Sequence, residues 1–177
     1  AELQKSKDGS DPNYQNTDWY DFIVKDLTPH HRTNLSVSGG NNGTTYYLSL
    51  GEVMQDGQYK GGTEKIKQYN IRSSIDVQIT DNFTIGMNLS GRFADNHFPY
   101  QGANNLNSHI FLYQPNWQPY WPGTNYPQPN RGNESILNWV NDNNGYQKVS
   151  TNTFQTTLFF NWKLPWLKGL SFDGSGS

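Results

Sequence analysis

The chain has 177 residues and a net charge of −2; it is 33% hydrophobic and 16% charged, yet 15% aromatic. Ordinary globular chains run at roughly 45–50% apolar with Gly included and roughly 25% charged. No stretch approaches the roughly 18–20 apolar residues of a spanning helix, the aromatics argue against wholesale disorder, the charge leaves no footprint for nucleic acid, and the absence of Cys excludes disulfides, thiol nucleophiles and Cys–metal sites.

Residues 1–33 are polar and irregular. Asp18–Lys25 is expected to form a short helix, with Asn16 or Thr17 as its N-cap and Pro29 ending it. From Asn34 the hydrophobic period becomes two. Leu35 and Val37 share a face, and Asn41-Asn42-Gly43 signals a hairpin. Tyr46, Leu48 and Leu50 then oppose Thr45, Tyr47 and Ser49. Across Tyr69–Ile79, Ile71, Ile75, Val77 and Ile79 oppose Arg72, Ser74, Asp76 and Gln78. After a tight turn at Thr80–Asn82, Phe83, Ile85, Met87, Leu89 and Phe93 oppose Thr84, Gly86, Asn88, Ser90 and Arg92. Residues 95–146 break the pattern with Pro, Trp, Tyr and Asn. Alternation returns over Thr151–Leu164, and Leu170 starts a further strand after the Pro165–Gly169 turn.

These readings predict an all-β chain: about six antiparallel strands in an up-and-down order, apolar on one face and uncharged-polar on the other. Short connections at 41–43, 80–82 and 165–168 alternate with longer ones at 51–65 and 95–148. Alternate connections of a meander emerge at the same end. Transmembrane barrels show that asymmetry, with short periplasmic turns and longer extracellular loops. A barrel wall also needs only every second residue to be apolar, which accounts for the low hydrophobic fraction. Tyr46, Phe83, Trp162 and Trp166 fall near the short-turn end, where an aromatic girdle belongs. Ala1–Lys5 carries no signal-peptide core, and the last residues begin a strand pattern that stops, so we expect an excerpt of a longer chain.

Asn16–Asp21, Asn34-Leu35-Ser36-Val37-Ser38-Gly39-Gly40-Asn41, Thr45-Tyr46-Tyr47-Leu48-Ser49-Leu50-Gly51, Gln55-Asp56-Gly57, Tyr69–Asp76 and Leu164–Ser171 follow one another in this order. Together these segments resemble the SusC/RagA family of TonB-dependent outer-membrane transporters. The resemblance implies an early part of a plugged 22-stranded barrel, in a bacterium with an outer membrane (Gram-negative, of the Bacteroidetes type). Residues 1–33 and 95–148 would be extracellular loop, and 34–94 and 149–177 barrel strands with short turns. It further implies import of a glycan, less often a peptide, with a SusD-like lipoprotein as cap and TonB supplying energy through parts that are not in this chain. No enzyme activity, cofactor or metal is expected.

Two sets of residues are candidates for contact. Trp117, Tyr120, Trp121, Tyr126 and Trp139 lie in the long loop among Asn and Gln. Aromatic faces stack on sugar C–H groups while amides bond hydroxyls. Arg72, Asp76, Asn88 and Arg92 belong to the polar, presumed lumen-facing side. His30-His31 lacks the spacing of a metal site, and Asp142 among Asn141, Asn143 and Asn144 lacks a complete calcium-loop pattern. The alternative, a soluble carbohydrate-binding β-sandwich, explains the aromatics and amides but gives no reason for alternating loop lengths.

Overall fold

The computed structural model describes residues 15–130 and 132–177, together with Gln4, Lys5 and Lys7. Six strands form one sheet in strict sequence order. They are β1 (His30–Asn41), β2 (Thr44–Asp56), β3 (Lys65–Thr80), β4 (Phe83–Pro99), β5 (Tyr146–Lys163) and β6 (Ser171–Gly176). Among the residues from 15 onward, three short α-helices, α1 (Trp19–Ile23), α2 (Gly102–Ile110) and α3 (Ile136–Val140), and a single 3-10 turn (Asp142–Asn144) accompany the strands.

The strands follow the period-two pattern. Along β5 and β6, Trp162 faces Phe172 and Phe160 faces Gly174, while Asn161 faces Asp173. Asn161 donates a hydrogen bond to Asp173 at 2.5 Å, so like still meets like on the polar face. The β1–β2 turn is built on Asn42 and Gly43, with φ of 37° and 88°. Two positive φ values define the primed turn whose twist matches the strands, and Gly adopts such a φ without steric cost.

The alternating face is apolar and uncovered. Leu35 is 68% exposed, Leu158 58% and Phe172 53%. Val37, Leu48, Leu50, Ile75, Ile79 and Ile85 are exposed as well. Aromatic rings meet near the short turns: Phe83 lies 6.4 Å from Phe160, and Trp162 packs edge-on to Trp166 at 5.9 Å. The opposite face is polar apart from aromatic residues such as Tyr47 and Phe159. The Phe159 ring lies over Gly86, in the space a side chain there would occupy.

The chain divides into two compact units. One comprises 1–29, 55–66 and 96–149; the other comprises 30–54, 67–95 and 150–177. The first has its own hydrophobic core of Trp19, Ile23, Tyr59, Leu106, Ile110, Tyr113, Ile136 and Val140. Leu106 and Ile110 stand four apart on α2, which puts both on one helix face.

Three local expectations change. Helix α1 is shorter than Asp18–Lys25, and its N-cap is Asp18, not Asn16 or Thr17. The Asp18 carboxylate accepts from the Asp21 amide at 3.0 Å, and Val24 already has extended geometry and bridges Tyr59. The helix thus ends well before Pro29. Strand β1 begins at His30, ahead of Asn34, because backbone pairing does not require an apolar side chain. Finally, α2 and α3 occupy the stretch that lacks strand alternation. Both are marginal in isolation and are held by Leu106, Ile110, Ile136 and Val140 in the core.

Gly86 tests the packing of the polar face. A Cβ there would lie 2.1 Å from Phe159 Cζ and 2.5 Å from Asp76 Oδ1. Gly86→Ala is expected to destabilise the fold by about 1–3 kcal/mol through overpacking, read as a lowered urea midpoint of the full-length protein.

Candidate functional site

The sequence candidates fall in different surroundings. Within the first unit, Thr17 clamps the leading segment to the long connection. Its amide donates to Pro115 O at 2.7 Å and its hydroxyl to Trp117 O at 3.0 Å. Trp19 Nε1 donates to Gln114 O at 2.9 Å, and its ring meets Tyr113 edge-on at 4.9 Å. Trp117 continues this cluster, edge-on to Tyr113 at 5.3 Å. Trp139 packs against the same core, edge-on to His109 at 4.5 Å, with Nε1 donating to Glu134 Oε2 at 2.5 Å. These two indoles brace the loop.

Tyr120, Trp121 and Tyr126 sit further out. Tyr120 meets Phe22 edge-on at 6.2 Å and bridges Pro127. Trp121 and Tyr126 close a small turn, with the Trp121 amide donating to Tyr126 O at 3.0 Å. Their rings are 50% and 75% exposed. An exposed ring on an ordered turn offers a flat apolar face at little conformational cost.

On the polar face, Arg72 and Asn88 come together in a depression with Tyr47, Ser74, Ser90 and Gln155. Arg92 lies apart from it and donates to Gln68 Oε1 at 2.9 Å. Asp76 accepts from Thr45 at 3.4 Å through one oxygen. Its other oxygen is buried with no hydrogen-bond partner among the described residues. A buried lone acceptor of this kind is uncommon and costly.

One cluster escaped the sequence reading. Asp142 gathers two distant groups. Thr63 Oγ1 donates to its Oδ1 at 2.5 Å, and His97 Nε2 lies 3.1 Å from both carboxylate oxygens. The His97 ring stacks on Tyr146 at 4.9 Å. The Thr63 hydrogen bond, above all, holds the Asp142 carboxyl below its ordinary pKa; partial desolvation opposes this, and the His97 hydrogen bond and charge add to it. Nothing in the Asn-rich run around Asp142 signals partners so far away in sequence.

Comparison with known proteins bears on the whole. A 97-residue stretch, 54% of this chain, is 29% identical to the TonB-dependent receptor P26 of Formosa agariphila and covers 10% of that protein. A 76-residue stretch, 43% of the chain, is 36% identical to the TonB-dependent receptor P3 of the same bacterium and covers 7% of it. The chain is similar to TonB-dependent receptors. The matched stretches span a tenth or less of the length of these curated relatives. No family model and no solved structure matches. Among the described residues no helix is long and apolar enough to cross a membrane, which leaves strands untested.

The Asp142 clasp has a pH signature. Its depressed pKa means that ionised Asp142 stabilises the fold above the ordinary aspartate value of 3.8, and that this contribution fades as pH falls through the lower folded value. Wild type is therefore expected to melt above Asp142→Asn at pH 6. The gap should narrow once the pH drops below 3.8, followed by thermal melts across an acid series.

Proposed function

We propose that this chain is a wall sector, with its outer loops, of a SusC/RagA-like TonB-dependent transporter in the outer membrane of a Gram-negative bacterium. The observation that carries this is the uncovered apolar face of a six-stranded sheet whose strands follow one another in chain order. Water-exposed apolar area on this scale marks a surface meant for another apolar phase. A barrel wall supplies one: every second side chain faces lipid, and the others face a polar interior.

In this reading residues 34–94 and 149–177 form wall, and 1–33 and 95–148 form extracellular loop. The similarity to TonB-dependent receptors supports the same assignment. The exposed rings Tyr46, Trp162 and Trp166 near the short turns suit the aromatic girdle at the membrane boundary. The parent imports a glycan, or a peptide, under TonB drive and beneath a SusD-like lipoprotein. The chain performs no catalysis. Its contribution is a barrier to lipid, a polar lining that includes Arg72, Asp76, Asn88 and Arg92, and loop aromatics that meet substrate or cap. Trp121 and Tyr126 are the most available for that contact.

Fractionation tests the reading. The full-length protein is expected in the outer-membrane fraction, and in solution only with detergent. Release into buffer without detergent overturns the transporter and favours a soluble sandwich. In reconstituted full-length protein, Ile75→Arg is expected to cost about 2–4 kcal/mol if mid-bilayer, measured by denaturant unfolding in lipid vesicles.

A further inference from the structure

The first compact unit holds a second set of exposed rings that the loop candidates do not include. Tyr20 on α1 and Phe111, just after α2, stack with ring planes 25° apart and centroids 6.3 Å apart. They are 55% and 75% exposed. Both border a cavity of ≈ 400 Å³, within the roughly 300–1,000 Å³ of small-ligand sites. We propose that this cavity is a saccharide-binding site, distinct from the Trp121–Tyr126 turn; the proposal rests on the reading of the parent as a glycan importer.

The site is built in advance. Its floor includes Trp19 and Tyr113, only 3% and 7% exposed and packed edge to face. Two backbone-directed bonds, Thr17 to Pro115 and Trp19 to Gln114, lock the segments that frame it. Such a floor loses little conformational freedom on binding. Tyr20 and Phe111 are not needed by the core, so they present apolar faces to whatever enters.

The rim selects the ligand. Asn16 and Asp18 border the cavity. One Asp18 oxygen accepts the Asp21 amide; the other, like the Asn16 amide, has no partner among the described residues. Among the described residues Asp18 is the one charged residue lining the cavity, and it repels anions. Asn16 and Asp18 are exposed at the rim, so a purely apolar ligand would leave them to water and gain no bond from either. A bare ammonium group would pair with Asp18 and make no bond to the Asn16 N–H groups. A pyranose meets all these demands: C–H faces for the rings, hydroxyls that donate to Asp18, and hydroxyls that accept from Asn16.

The test is calorimetric titration of the full-length protein in detergent with maltohexaose, cellohexaose, xylohexaose and laminarihexaose, with tetralysine as a cationic probe. At least one hexasaccharide is expected to bind. Tyr20→Ala and Phe111→Ala should each weaken it about tenfold or more, while Tyr20→Phe, which keeps the ring, binds like wild type. Both side chains are exposed, so melting should not change. Sugar binding that survives both alanine variants and falls only in Trp121→Ala overturns this site and leaves the importer standing. Tetralysine binding lost in Tyr20→Ala, with no sugar bound, overturns the ligand class. No binding by any probe overturns the site altogether. None of these results touches the fractionation experiment, so the two readings fail separately.

Discussion

Backbone pairing in a sheet is indifferent to what lies above and below it, and that asymmetry governs this protein. Strands β2 to β4 are hydrogen-bonded to their sequence neighbours on both sides, while β5 meets β6 only over Leu158–Lys163. Side chains meanwhile alternate between two faces. One face carries leucine, isoleucine, valine and phenylalanine with nothing described lying on it. The other carries amides, hydroxyls and a few charges, and leaves one Asp76 oxygen without a partner among the described residues. Strands β1 and β6 each keep an open edge, and one face of the sheet has no cover among the described residues.

The loop-rich unit solves a different problem. Its segments are far apart in sequence and poor in aliphatic residues, so no single segment can bury enough surface to order itself. It pools them. Trp19 and Ile23 come from the leading segment and Tyr59 from the β2–β3 connection; Leu106, Ile110, Tyr113, Ile136 and Val140 come from the long one. Polar contacts then fix the segments against each other: Asp142 collects Thr63 and His97, and Thr17 holds the backbone at Pro115 and Trp117. Aromatics surplus to this core remain outside. Trp117 and Trp139 are spent on bracing, whereas Trp121 and Tyr126, and separately Tyr20 and Phe111, are free to meet a ligand.

The strands were legible because the relevant signal is local. A period of two over ten residues, bounded by Asn-Gly or Asp-Asn, specifies a strand and its turn with little outside help. The face assignments of Ile71–Ile79 and Phe83–Phe93 needed nothing else. The His30–Thr33 extension of β1 escaped notice because pairing partners, not side chains, put it in the sheet. Helices α2 and α3 escaped because Asn-rich segments such as Gly102–Ile110 have weak intrinsic preference. Their structure comes from burying Leu106, Ile110, Ile136 and Val140 against residues that no local window contains.

The same division runs through the candidate sites. Sequence by itself determined the all-β order of elements, the two-faced strands, the primed turn at Asn42-Gly43 and the presence of loop aromatics beside amides, since each follows from neighbouring residues and backbone geometry. Only the tertiary structure decided which aromatics brace and which are presented. It alone brought Tyr20 to Phe111, made Asp142 the meeting point of Thr63 and His97, and isolated an oxygen of Asp76. Those outcomes depend on how distant segments share one limited apolar core, and composition and spacing carry no record of that competition.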